Sequence, residues 1–461
     1  MNGNRQRSWM CTLSAVLLSA LLVGTASDAG AWATITVNSL ADPGSPGICT
    51  LRDAITAANS MSPTNGCAAG NGHDTIRFSI TGTISLVETL PAITDSLLTI
   101  NGPPSPGITI SGGDAVRVMQ VASGVTVHLK NVTIAHGLVA FSNDLNEDIG
   151  AGILSTGTLT IDNCTFSSNN AALAGGGISN NGGTLQISNS TFSGNSANSA
   201  NAGGGAIDNQ GTLAIENSTF SGNHAFQWGG GIFNRGQVTV TNSTLSGNTV
   251  SDGGGAFYSL PISGGSLTVI NSTIFGNRAA VFGGAIEASG AVSVRSSIFS
   301  ANSAGGPSIS NTCAATIIDL GYNISDDDTC GFTATGSLNN TDAMLDPAGL
   351  SNNGGPTQTI ALLSGSPAID AIPLADCTNG EGNRLKTDQR GFPRPDADEQ
   401  VCDIGAYEFQ AFDGTPGTKN CQGVSVSALA REFGNIKAAA SALHFASVQA
   451  LQNAIRAFCK G

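Results

Sequence analysis

Residues 157–179 read GTLTIDNCTFSSNNAALAGGGIS, and the text returns four more times. It reappears as GTLQISNSTFSGN from residue 183, GTLAIENSTFSGN from 211, GQVTVTNSTLSGN from 236 and GSLTVINSTIFGN from 265, each copy followed by a GG[GA] element. The equivalent asparagines Asn163, Asn189, Asn217, Asn242 and Asn271 are spaced 26, 28, 25 and 29 residues apart. A repeat of this length is one supersecondary unit that cannot bury its apolar face alone, so the units must stack.

Within each unit the apolar residues alternate. Leu159 and Ile161 are separated by polar neighbours, the period-two mark of a half-buried strand. Residues 162–164 turn, Thr165-Phe166-Ser167 forms a second strand with one large inward residue, and residues 168–169 turn again. Gly176-Gly177-Ile178 then leads a third strand. The inward set recurs as Leu185, Ile187, Phe192, Ile207 and as Leu213, Ile215, Phe220, Ile232. Gly, Asn, Ser and Thr fill the rest, all poor helix formers. Three strands and three corners in about 25 residues predict one coil of a parallel β-helix, an all-β solenoid. Stacking puts like residues above like. The column from Asn163 to Asn271 is therefore expected to form a hydrogen-bonded amide ladder, and the column Asn169, Asn195, Asn223, Asn248, Asn277, Asn302 to do the same at the next corner. Several of these asparagines also read as N-x-S/T acceptors, which burial in a ladder would exclude.

Outward from the refrain the organisation reads as follows. Residues 1–31 look like a secretory signal, with Arg5 and Arg7 before an apolar run and a small-x-small site at Ala29-Gly30-Ala31. That run is shorter than the ~20 residues a spanning helix needs, and no transmembrane segment is expected after its removal. The β-helix with its N-terminal cap takes residues 32–345. It starts with a strand at 34–37, a capping helix at 49–58 with Leu51, Ala54, Ile55 and Ala58 on one face, and looser coils at 75–86, 98–111 and 118–134. Residues 346–410 form a C-terminal block that closes the solenoid. Residues 411–461 carry a Gly/Pro linker and an Ala-rich, basic tail with helical spacing at Leu429, Phe433, Leu443, Val448, Leu451, Ile455 and Phe458, predicted as two or three small helices.

The chain has 461 residues, only 11% of them charged, and a net charge of −14. An acidic surface disfavours nucleic acid and anionic membrane as partners. Of ten cysteines, Cys11 leaves with the signal. Eight others fall into local pairs by proximity, Cys49/Cys67, Cys313/Cys330, Cys377/Cys402 and Cys421/Cys459, and in an oxidising compartment these are read as disulfides. Cys164 is left over where other units carry Ser190, Ser218, Ser243 and Ser272, and is read as a small unpaired residue.

These residues resemble known bacterial families. Cys49-Thr-Leu-Arg-Asp-Ala54 is similar to the C-S-L-R-E-A motif of exported β-helix proteins, with Thr50 for Ser and Asp53 for Glu. The GG[GA]I element and the F-x-x-N at Phe166/Asn169, Phe192/Asn195 and Phe220/Asn223 resemble the repeat of chlamydial-type polymorphic outer membrane proteins; Leu245 and Ile274 depart from it. Gly365-Ser-Pro-Ala-Ile-Asp370, Asp388-Gln-Arg-Gly391 and Asp403-Ile-Gly-Ala-Tyr-Glu408 resemble the C-terminal block of choice-of-anchor surface proteins. The resemblance implies a right-handed, single-stranded, pectin-lyase-like parallel β-helix, exported or surface-attached, of a kind often of unknown role or called adhesin-like. No pattern for a β-barrel translocator is evident, so the autotransporter route does not carry over.

The same fold hosts polysaccharide lyases and glycoside hydrolases, which need clustered acids, or a base with Ca²⁺ ligands, on one face. In register the units place Ser179, Asp208, Phe233, Tyr258 and Glu287 in one column and Asp162, Ser188, Glu216, Thr241, Ile270 and Arg295 in another. Neither puts acids on adjacent coils, so no catalytic residue is assigned. Asp162 and Glu216 would stand two coils or roughly 10 Å apart. Asp326, Asp327 and Asp328 are the Ca²⁺ candidates, in a Cys-bounded loop, and Asp144, Glu147 and Asp148 form a second acidic loop. Asp388 and Arg390 read as a local ion pair. Phe226 and Trp228, in a variable loop, are candidate binding residues together with Asp208 and Tyr258, since sugars and protein partners stack on such rings; Phe233 and Phe257 are read as core. The expectation is a secreted or cell-surface, monomeric, non-catalytic protein that binds a glycan or a surface protein, with a polysaccharide-degrading enzyme or a structural envelope protein as the alternatives.

Overall fold

A computed structural model describes residues 32–410 and 421–459, apart from 105–106, 143, 145–146, 261–264, 306–311, 381, 396–399, 433 and 443–446. The expected signal segment, the linker, and the tail positions Phe433 and Leu443 lie outside the described residues. The chain winds as a right-handed parallel β-solenoid of about nine turns. Like residues stack on like, as the refrain requires. Leu159 pairs with Leu185, then Leu213, Val238, Leu267 and Val292. Phe166, Phe192 and Phe220 follow one another on the next sheet, and their rings stack 4.6 Å apart within 3° of parallel. These side chains are fully buried in one continuous core, each worth about 1.5–3 kcal/mol by burial alone.

Each regular coil holds four short strands where three were expected. The unit beginning at Ile178 has Ile178–Asn180, Thr184–Ser188, Thr191–Ser193 and a two-residue strand, Ser196–Ala197. The extra strand places Ala225, Val250 and Ala279 inward as a small cluster of their own. It is too short to show period-two alternation, so the sequence pattern did not mark it.

The two asparagine columns behave differently. In the second, the ladder is continuous: each side-chain amide donates to the next oxygen, from Asn169 through Asn195, Asn223, Asn248 and Asn277 to Asn302, at 2.8–3.0 Å. Each Asn from Asn169 to Asn277 also donates its backbone N–H to the oxygen of the next. The first column is not a ladder. Asn163, Asn189, Asn217, Asn242 and Asn271 hold φ of 45–52° and turn the chain in the left-handed region, which Asn tolerates better than other side chains. Only Asn163 reaches an Asn below it, Asn131 at 2.8 Å; Asn189 reaches Asp162 and Asn242 reaches the Thr387 carbonyl. Asn163 is also exposed, so burial does not exclude its N-x-T match. A third ladder, unforeseen, runs from Asn180 through Asn209 to Asn234, at 2.7 and 3.0 Å.

Cys164 lies on a buried serine column and donates its N–H to Ser190 Oγ at 3.1 Å. Its thiol is free, and burial pushes its pKa up to about 12, so it is an inert filler. All four expected disulfides are formed.

Helix α1, Leu51–Ser60, covers the N-terminal end. Thr50 caps it by accepting from the Asp53 N–H, and Leu51, Ala54, Ile55 and Ala58 are buried against the first coil. The C-terminal block does more than close the far end. It packs on Ile298, Tyr322 and Ile324 and also runs back along the solenoid. Thr357 and the Gln358 carbonyl bond Asn217 and Thr219, Gln389 bonds Thr219 and Thr244, and Arg394 bonds Asn242. Its own centre is a buried charge network. Arg390 pairs with Asp388 at 2.7 Å, as expected of that local pair, and stacks on Tyr407; Arg394 pairs with Glu408 at 2.8 Å. Helices α2, Cys421–Glu432, α3, Ile436–Ala442, and α4, Val448–Phe458, form a separate cluster around Leu429, Leu451 and Ile455. No helix among the described residues is long and apolar enough to cross a membrane.

Candidate functional site

The strand that follows each glycine run points two residues inward and its middle residue out. Ile207 and Asn209 face in, and Asp208 between them faces out; the pairing then places Phe233, Tyr258 and Glu287 above Asp208 on successive coils, with Ser179 below it. This is the column read from the sequence. What the sequence did not show is that the variable stretches fold over it. Ala174, Gly203, Trp228, Gly253 and Phe282 pair coil by coil beside it. Glycine at 203 is required here, because a Cβ would sit 2.5 Å from the Phe233 ring. The loops and the outward column enclose a groove of about 960 Å³, walled by Phe141, Leu173, Trp228, Phe233, Arg235 and Leu260 among others.

Three rings meet on this face. Trp228 lies 5.5 Å from Phe233 and 6.1 Å from Tyr258, and Phe233 meets Tyr258 edge-on at 5.6 Å. Phe233 is buried, but in this outer cluster and not in the solenoid core where the sequence reading put it. Phe257 is in the core as expected. Beside the rings, the fully buried Asp208 carboxylate accepts from Arg235 at 2.6 Å and from Ser179 Oγ at 3.2 Å, and the Arg235 guanidinium stacks over Phe233 at 4.8 Å. The Nε of Arg235 is buried and carries no hydrogen bond. A cluster of tilted rings beside a fixed, paired charge, with Trp228 and Tyr258 half-buried at its surface, suits a planar or saccharide ligand.

Of the four candidate binding residues, Trp228, Asp208 and Tyr258 come together, and of these Trp228 lines the groove. Phe226 stands outside the groove, 47% exposed. Arg235 was missed because it follows the outward position by two residues, where no other unit carries a basic side chain; the sole cue was its departure from the repeat.

The acids are dispersed. Asp208 and Glu287 are three coils apart, roughly 14 Å. Asp162 spends its carboxylate on Ser188 and Asn189, at 3.0 and 2.9 Å. Glu216 stands in a second, smaller groove of about 600 Å³, between the outer threonines Thr160, Thr239 and Thr268 and the loop at Asn379-Gly380. Two acids do meet where sequence register gave no hint. Burial, then the nearby Asp252 charge, pushes Glu287 up to about 7, and the same burial and acids raise Tyr258. Asp252 belongs to a variable loop, outside any column.

The Ca²⁺ candidates each make hydrogen bonds within the protein. Asp326 accepts from the Ala301 N–H, Asp327 accepts from Thr329 and Thr312, and Asp328 offers its carbonyl to Gly331. In the second acidic loop Asp148 holds Ser142, and Glu147 pairs with Arg117. Among the described residues no three His, Cys, Asp or Glu side chains converge as a metal site.

The family model described as right handed beta helix region matches residues 98–342. No curated protein matches the chain.

Proposed function

The chain belongs to the right-handed β-helix family, and from that premise we propose that it is an exported, surface-associated, adhesin-like protein that binds a glycan chain in the groove beside Trp228, without chemistry. The observation that carries this reading is the ring cluster Trp228, Phe233 and Tyr258 set beside the buried Asp208–Arg235 pair. Rings present apolar faces to sugar C–H groups, and the ion pair fixes hydrogen-bond geometry at the edge. Four disulfides support an oxidising compartment. Asp208 is committed to Arg235 and cannot act as a free base. The test is a glycan and surface-protein array probed with the full chain and with Trp228→Ala. Binding that falls at least tenfold in the variant supports the reading. Binding carried by a protein ligand alone would move the reading from glycan to protein, and no binding at all would favour a structural envelope role.

One observation favours an enzyme as the second reading: Glu287, raised to about 7 by burial and Asp252, has the poise of a general acid. Release of new reducing ends from a polysaccharide panel, lost in Glu287→Gln, would establish it over binding alone.

A further inference from the structure

At the N-terminal cap two buried carboxylates face each other. Asp74 is 0% exposed and Asp95 2% exposed. Two local structures hold them. Asn59, on the last turn of α1, accepts from the N–H groups of Thr94 and Asp95 at 2.8 and 3.1 Å and so ties that turn to the helix. On the other side Asp74 folds back to accept from the Asn71 N–H at 3.0 Å. The pairing of His73 with Leu97 sets Asp95 beside Asn71, and Ser96 Oγ donates to the Gly72 carbonyl at 2.7 Å, closing the gap. Gly70 leaves room for the Asp74 carboxylate, since a Cβ there would lie 2.3 Å from its oxygen.

Both oxygens of Asp95 are buried without a well-formed hydrogen bond, and only the Ser96 and Leu97 N–H groups turn toward the carboxyl. Burial, then the charge of Asp74, raises Asp95 to about 6. Two carboxylates at this depth are held only if something positive joins them. A shared proton would join the two carboxyls but leave one negative charge buried. A divalent cation would neutralise both. The oxygens grouped here are the two carboxylates, Ser96 Oγ and the Gly72 carbonyl. That is a hard, irregular set, suited to Ca²⁺ and poorly matched to the strict octahedron of Mg²⁺ or the nitrogen and sulfur preferences of Zn²⁺.

We propose that Asp74 and Asp95 bind a Ca²⁺ ion that locks the capping helix onto the first coils. The site is distinct from the Asp326–Asp328 loop and from the groove.

The test uses the full chain with its disulfides intact. Calcium binding is counted by equilibrium dialysis, and thermal unfolding is followed in EDTA and in millimolar CaCl₂. The wild-type chain should melt several degrees higher in Ca²⁺. Asp95→Asn removes the carboxylate repulsion, so in EDTA it should melt at or above the wild type, and it should gain nothing from Ca²⁺ and bind one ion fewer. The order of the two proteins therefore reverses between the buffers. Equal ion counts for the two proteins would overturn the proposal. So would a wild-type melting point unmoved by Ca²⁺ that falls, in EDTA, as pH rises through about 6, since a shared proton then explains the pair. If Asp95→Asn fails to fold, the same ion count and melting pair on Asp74→Asn decides the matter.

Discussion

Two columns of asparagine run up the same solenoid a few residues apart, and they do opposite work. At the corner after the Phe strand, from Asn169 to Asn302, the side chains face in and bond each other; the backbone there needs the amide. At the corner before it, from Asn163 to Asn271, the side chains point away from the core, Asn242 and Asn271 under the C-terminal block, and the backbone shares the need for a residue that tolerates positive φ. Asn suits both demands, so its recurrence in sequence says that a corner exists and not which force holds it. The difference also has a functional edge. The inner ladder is closed to everything, whereas the outer corner offers the surface on which the C-terminal block docks, through Asn217, Asn242 and Asn271.

Substitution separates the two columns. Asn223→Ala should cost most, about 3 kcal/mol in urea unfolding, because it strands the Asn195 backbone N–H and side-chain amide and the Phe192 carbonyl inside the coil. Asn217→Ala should cost about 1 kcal/mol, the strain of an alanine in the left-handed region. Equal losses for the two would erase the distinction. Asn217→Gly should lie within about 0.5 kcal/mol of the wild type, since glycine takes that conformation freely, whereas Asn223→Gly should remain as damaging as Asn223→Ala. The smallest effect concerns pH. Neither column titrates, so their differences should be constant from pH 5 to 8. Glu287 is another matter: its folded pKa lies above its unfolded one, so its contribution is present below about 4.5 and lost as pH rises to about 7. Burial also raises Asp403 and Glu408 in the docked block, which tilts stability the same way. Glu287→Gln should flatten part of that slope; a steeper slope in the variant would refute the assignment.

The core was legible because it repeats. Leu159, Ile161, Phe166 and Ile178 each recur in register, and a solenoid is the one arrangement that uses such recurrence. The path of the C-terminal block was not, because its bonds span far more chain than a coil, as from Gln389 to Thr219 across 170 residues. The groove was half legible. Trp228, Asp208 and Tyr258 stand out against the repeat, but Arg235, Leu173 and Phe141 reach the site only through the folding of loops whose lengths differ from unit to unit. Phe233 was misplaced for a related reason: its position in the strand faces out, and only the covering loop buries it.

The inner ladder has a sense of direction. Every rung from Asn169 to Asn302 donates toward the C-terminal end, so the side-chain amides lie head to tail like cells wired in series. Such a row polarises itself, each dipole strengthening the next. A cut in the middle therefore leaves two weaker rows, and a pull on one end is met by a single rung at a time. The solenoid is consequently an object with a polarity and a mechanical grain, stiff as a whole and separable coil by coil from its ends.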